Sequence, residues 1–441
     1  METQNINRSN SQGMKDGLDE ISGQDLAAAF TGRPPESDRL ADTDDKKLKD
    51  KQPKQGLSKL YITYIVIGCL GLVGGLAMLI YSLLSPAKSS TVVQFPDLKH
   101  GESTETTYSA LTGEKLADAS LATAPTYCIQ TPNGTDGARP QAGLNQAGVI
   151  FEAIAEAGIT RFAAIYQNPT SSVIGPIRSL RIYYLQWDTP FDCTIVHAGG
   201  SGDALAAVSA GGYKDLTEDY SYMYRGTYGS RLWNNLFTTA GYLSKYSSDH
   251  GYTSSNVKGF ARMTPEESEH SRIDSLAAEK LVITQPAVGN TSELKPAVAA
   301  VGLRLGGWAD FNVDYAYDAT SNKYLRSYAS GNPHEVYNCP DGDVGERNPE
   351  DACTLVQMAP SVVVALVVNE RRASDNYHED IDVIGMGDAY IFQNGTAIHG
   401  TWKKSSKEEQ ISFIDAEGTE IKLAPGQTIL TAVPSYGSVE F

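Results

Sequence analysis

Residues 149–166 read VIFEAIAEAGITRFAAIY, and the fold turns on how this stretch is read. Its first half admits an amphipathic helix with Ile150, Ile154 and Ala157 on one side. Its second half, ITRFAAIY, is rich in β-branched and aromatic residues and reads as a strand. Glu156-Ala157-Gly158 supplies a turn between them, so a β-hairpin is the better reading. Upstream, 126–131 is strand-like and ends in a turn at Pro132-Asn133-Gly134. Gly137-Ala138-Arg139-Pro140 follows as extended loop, because proline pushes its predecessor out of the helical region. Downstream, Gly175-Pro176 predicts a helix start with proline at the first helical position. Residues 193–197 predict a short buried strand that runs into Gly199-Gly200-Ser201-Gly202 and a helix, DALAAVSAG, stopped by Gly211-Gly212. Further helices are expected over 239–251 and from Thr264-Pro265-Glu266-Glu267, a capping box.

Beyond residue 310 the texture changes. Residues 311–317 and 324–329 alternate as a hairpin, and 361–368 is a continuous apolar strand. Asn394-Gly395 joins 390–393 to 396–402 as a tight hairpin. Residues 411–414, 421–423 and 428–433 are expected to finish a meander. The fold class is therefore an α/β N-terminal domain over 111–300 and a mainly-β C-terminal domain over 301–441.

The start of the chain differs. Residues 1–59 are polar with little apolar periodicity and predict a disordered tail. Residues 60–84 carry no charge, and at ~1.5 Å per residue they exceed the ~30 Å hydrocarbon core, which predicts one transmembrane helix. Lys46, Lys47, Lys49, Lys51, Lys54 and Lys59 precede this span and only Lys88 closely follows it, which predicts a cytoplasmic N-terminus and an extracellular C-terminal part. Val66-Ile67-Gly68-Cys69 looks like a lipobox, but the apolar run continues well past Cys69, so an uncleaved anchor in the bilayer is the reading taken. Residues 85–110 predict an extracellular linker.

Of the net charge of −17, residues 1–59 contribute almost nothing, with 10 basic and 11 acidic side chains. So acidic an external part does not wrap nucleic acid, and an anion site in it must be local. Cys339 and Cys353 bracket a polar loop outside the reducing cytoplasm and are expected to be bonded, whereas Cys128 and Cys193 lie in apolar strands and read as buried thiols.

Three stretches carry a resemblance: GARPQAGLNQAGVIFEAIAEAGITRF, IGPIRSLR and FDCTIVHAGGSGDAL. With the later GDAYIFQNGTAIHGTWKK and APGQTILTAVP, the chain from 120 to 441 resembles the YerB-like family of bacterial envelope (lipo)proteins, a domain of unknown function. One departure is Asn234, at a position where the family pattern leads one to expect His. The resemblance implies a place at the cell envelope and no established reaction.

Between 137 and 190 the chain has Arg139, Arg161, Arg178 and Arg181, no Lys, and only Glu152, Glu156 and Asp188 as acids. Arginine suits bidentate recognition of carboxylate or phosphate. Read on one helix, Arg178 and Arg181 are neighbours in its first turns, where the macrodipole disfavours cations. Internal acids or a ligand must then meet them. The Gly199-Gly200-Ser201 turn offers backbone N–H groups at a helix start, though the same glycines also serve close packing. The expectation is a cleft with at least three of these arginines beside the glycine turn and Glu152 lining it. It would bind an anionic envelope component or a peptide. The alternatives are an envelope hydrolase or transferase using Glu152 and His197, and a protein scaffold. His334 and the run His378-Glu379-Asp380 match no metal-ligand spacing and read as solvated loop residues; no cofactor is implied.

Overall fold

The 149–166 stretch is a hairpin. In the computed structural model, which describes residues 106–227, 234–284, 298–342 and 346–441, strand β1 (Thr126–Pro132) is followed by β2 (Val149–Glu156) and β3 (Ile159–Gln167), turning at Ala157-Gly158. The cytoplasmic tail and the membrane span expected over 1–84, and most of the linker, lie outside the described residues. Among the described residues no helix is long and apolar enough to cross a membrane.

Helix α1 (Ile182–Asp188) leads to β4 (Thr194–His197), α2 (Gly202–Ser209) and β5 (Lys214–Thr217). Helices α3 (Ala240–His250) and α4 (Pro265–Thr284) follow. The Thr239 side chain caps α3, and Thr264 and Glu267 exchange the two bonds of a capping box at α4. The C-terminal part is largely β. It includes β6 (Ala300–Arg304), β7 (Val313–Asp318), β8 (Lys323–Tyr328), β9 (Val362–Val368), β10 (Glu370–Arg372) and β11 (Glu379–Ile381). It ends with β12 (Gly385–Gln393), β13 (Thr396–Lys404), β14 (Ser412–Ile414), β15 (Thr428–Pro434) and β16 (Ser438–Glu440).

One ten-stranded sheet runs β14-β13-β12-β9-β15-β2-β3-β1-β4-β5, and a four-stranded sheet runs β8-β7-β6-β16. β15 pairs in parallel with β9 on one side and with β2 on the other, so the parts before and after residue 300 share the large sheet. The expected closing meander is therefore corrected. After β14 the chain returns to the sheet centre, where TILTAVP, buried at every position, fits an interior strand better than an edge.

Side chains alternate across this sheet. One face packs Phe151, Ala153, Ile165, Val364 and Leu430 against α1, where Trp187 stacks on Phe151 at 4.9 Å. The opposite face packs Ile150, Phe162 and Val196 with Leu243 and Tyr246 of α3. Further along, the same face packs Ile154, Val363 and Phe392 under the four-stranded sheet.

Two expectations change on contact with the structure. Cys128 and Cys193 are not thiols; β1 and β4 are parallel neighbours, which brings the two within a Cα separation of 5.7 Å, and they are bonded. Cys339 and Cys353 are also bonded. The helix expected at Gly175-Pro176 starts only at Ile182. The intervening backbone is held extended by distant partners: the N–H groups of Ile177, Arg178 and Leu180 donate to the carbonyls of Leu236, Gln130 and Gly199. Arg178 and Arg181 are thus not neighbours on a helix, and Arg181 is the N-cap residue of α1.

Candidate functional site

Strand β2 delivers two glutamates to two different places. Regular alternation would put Glu152 and Glu156 on one face. A register shift between Ile154 and Glu156 instead pairs Glu156 with Ile159, and the bulge turns its side chain to the other face.

Glu152, 0% exposed, faces the four-stranded sheet. Arg326 of β8, equally buried, grips it bidentately, Nη1 to Oε2 at 3.0 Å and Nη2 to Oε1 at 2.9 Å. Thr160, Thr431 and Asn133 also donate to the carboxylate. Arg326 Nε donates to His334 Nδ1 at 2.9 Å, which leaves the proton of that ring on Nε2, donating to Gln141 Oε1 at 3.0 Å. Burial, with Arg326 and Arg139 close by, pushes His334 well below the usual imidazole range, so it is neutral. His334 is therefore no solvated loop residue. Arg139 belongs to this network too. It donates to Asn133 Oδ1 at 2.9 Å and to the Asp310 carbonyl, with its guanidinium 3.7 Å from the Tyr328 ring centroid.

Glu156 faces α1. Arg161 donates to its Oε1 and Arg181 to its Oε2 at 2.7 Å. Burial alone would raise the Glu156 pKa; the two guanidiniums outweigh it and hold the carboxyl below its ordinary value. Arg178 lies close enough to feel Arg161, Arg181, Glu156 and Asp136, and burial lowers its pKa. Three of the four arginines thus gather around Glu156. The glycine turn sits against them, because Leu180 N donates to Gly199 O and Ser201 N to Leu180 O. Beside Arg181 and Ser201 opens a cleft of about 370 Å3, walled opposite by Ser374, Asp375, His378 and Asp380 of the β10–β11 hairpin. Arg181 Nε and Ser201 Oγ, both buried, have no hydrogen-bond partner among the described residues.

Glu152 does not line this cleft, since Arg326 and the four-stranded sheet enclose it on the other face of the large sheet. Nor does it meet His197. β2 and β4 are separated by β3 and β1, about 14 Å at the usual strand spacing. His197 is itself buried, with Nδ1 2.7 Å from the Gly199 carbonyl and Nε2 2.9 Å from Asp215. Asn234 donates to the Asp136 side chain at 3.2 Å, which places the departed position near Arg178. His378 is held by Asp375, and among the described residues no group of His, Cys, Asp or Glu is arranged to hold a metal.

Sequence reasoning missed Arg326, although its signal was present. In KYLRSY the inward positions are Tyr324, Arg326 and Tyr328, and an arginine facing inward demands a buried acid. The wall at 373–380 carried no such signal.

Two buried networks on an α/β sheet extended by a largely β C-terminal part define the class: a two-part mixed α/β domain. The match to known families is specific. Residues 111–253 match the protein of unknown function (DUF3048) N-terminal domain and residues 305–430 its C-terminal domain, and the chain belongs to this family. YerB of Bacillus subtilis (strain 168), provisionally named a lipoprotein, is 27% identical over 309 residues, which cover 68% of this chain and 79% of YerB. The crystal structure of YerB superposes with a TM-score of 0.58 at 22% identity, over 76% of this chain and 100% of the other; at that identity the likeness speaks for the fold.

Proposed function

We propose that the chain is a single-pass membrane protein that displays residues 106–441 outside the cell and binds a peptide-like ligand in the cleft beside Arg181 and Ser201. The lysine-flanked apolar run at 60–84 supports the topology. Two disulfides, which suit an oxidising compartment, and a relative named for lipid attachment support a place at the cell surface.

The observation that carries the binding site is the pair of unpartnered buried atoms, Arg181 Nε and Ser201 Oγ, on side chains that line one cleft. A buried donor without a partner is costly, and a carboxylate brought against Arg181 and Ser201 would accept from them. The far wall argues for the rest of the ligand: Asp203, Asp375, Glu379 and Asp380 line the same cleft and repel a polyanion. A ligand with a carboxylate and an ammonium, as in a peptide, suits both walls; an anionic glycopolymer suits one.

Calorimetry of the full-length chain with trialanine, N-acetyl-trialanine and trialanine amide tests this. Trialanine should bind best, and blocking either end should weaken it at least tenfold. Ser201→Ala should weaken it with no loss of stability. Absence of binding to all three peptides, or tighter binding of polyphosphate, overturns the reading and leaves the arginines as internal partners of Glu156, in a scaffold.

A further inference from the structure

On the other flank of the β10–β11 hairpin lies a second cleft, of about 380 Å3. Its walls are two aromatic side chains that the fold leaves in the open: Trp308, 70% exposed, and Tyr436, 64% exposed. Rings of this size are costly to leave in water, and two beside one cleft call for an occupant.

Both rings lie against glycine. A Cβ on Gly306 would stand 2.8 Å from Tyr436 Cε2, so only hydrogen leaves room for the phenol ring. A Cβ on Gly158 would stand 3.7 Å from Trp308 Cδ1. The Tyr436 hydroxyl donates to Glu370 Oε1 at 2.8 Å, which fixes the ring's direction. Glu370 Oε2 is buried and has no partner among the described residues. Arg371, Arg372 and Glu379 complete the polar side of the cleft. Arg371 is paired with Asp380 and Asp382 and Arg372 faces Glu379, so neither guanidinium is left to call for an anion.

Flat apolar faces next to balanced hydrogen-bonding groups fit a ring with C–H bonds on its faces and hydroxyls on its rim. We propose that the cleft between Trp308 and Tyr436 binds a neutral pyranose unit of a glycan, stacked on the aromatic rings, with its hydroxyls toward Glu370 and the arginines. Burial pushes Glu370 up to about 7, the hydrogen bond from Tyr436 opposing it, so near neutral pH its protonated and ionised forms are both present. The two clefts share Glu379 in their walls but lie on opposite flanks of the β10–β11 hairpin, and the glycan reading does not depend on the peptide one.

The test is titration of the full-length chain with the tetramer of N-acetylglucosamine, maltotetraose and cellotetraose, followed by tryptophan fluorescence and saturation-transfer NMR. At least one should bind saturably. Trp308→Ala should weaken it at least tenfold and leave the unfolding midpoint unchanged, because the ring is exposed. Ser201→Ala should leave glycan binding intact, which separates this site from the peptide cleft. No saturable binding of any of the three, or binding that survives Trp308→Ala and Tyr436→Ala together, overturns the proposal.

Discussion

Glu152 and Glu156 leave the same strand four residues apart and end in opposite circumstances. Glu152 meets Arg326 inside a closed shell of donors, and Arg139 reaches that shell only through Asn133, so the pair itself balances. Glu156 meets two arginines, with a third nearby, and the surplus is positive at the edge of a cleft. The difference is one bulge in β2. It teaches where to look for binding in a molecule with many buried ions: a balanced pair holds two sheets together, while an unbalanced one keeps capacity for a ligand.

The largest effect should come from unbalancing the balanced pair. Glu152→Gln leaves Arg326 buried without its counter-charge and should cost about 3–5 kcal/mol in chemical denaturation. Replacing both members, Glu152→Leu with Arg326→Met, should recover most of that loss, since well-packed apolar residues substitute for a buried pair. A single substitution costing under about 1 kcal/mol would show that the shell is not closed.

Glu156 should prove weaker and should reveal itself through pH. Glu156→Gln should cost about 1.5–3 kcal/mol at pH 7, the range for hydrogen bonds to charged groups. Its folded-state pKa is lowered, by Arg161 and Arg181 against burial. The stabilisation is therefore complete above the ordinary value of 4.5 and is lost as pH falls through the lowered one. The gap between wild type and variant should close in acid.

Asp188 provides the opposite sign. It is fully buried, and burial pushes it well above the carboxylate range, the hydrogen bond from Gln130 and the charge of Lys404 offsetting this only in part. Gln130 Nε2 donates to its Oδ2 at 2.9 Å, while Asp188 Oδ1 and Gln130 Oε1 both lack partners. A proton on Asp188 Oδ1 supplies the donor that pair is missing. A raised folded-state pKa gives stability that is full below 3.8 and declines as pH rises toward the folded value. Asp188→Asn should carry that donor at every pH and stabilise the chain at pH 8 by at least about 1 kcal/mol. A destabilised variant at that pH would mean that Asp188 is ionised in the folded chain.

The hairpin 149–166, the capped helices and the β texture after residue 310 were legible because their signals are local: period, caps and turn residues. The extended course of 177–180 was not, because its hydrogen bonds go to Gln130, Gly199 and Leu236, and Gly175-Pro176 carries a helix signal regardless. The arginine island was legible as a set. Its division between two glutamates depends on a bulge that nothing in EAIAEAG announces, and on Arg326, which lies 174 residues from Glu152. The cysteine pair of β1 and β4 needed the sheet order, since 65 residues separate them.

The smallest stability effect belongs to Ser201→Ala, and it sharpens the comparison most. In a closed network, removing a hydroxyl breaks bonds and costs stability; Thr160→Val, beside Glu152, should cost about 1–2 kcal/mol because Asn133 and Glu152 both use that hydroxyl. Ser201 Oγ bonds to nothing among the described residues, so its loss removes an unsatisfied buried group and should be neutral or stabilise by up to about 1 kcal/mol. Ser201 also precedes α2 without a side-chain cap bond, so no capping energy is forfeited. Thermal unfolding of the two variants under one condition reads the contrast directly. A Ser201→Ala loss equal to that of Thr160→Val would mean the hydroxyl has a partner inside the protein, and the cleft beside it would then lack the vacancy that points to a ligand.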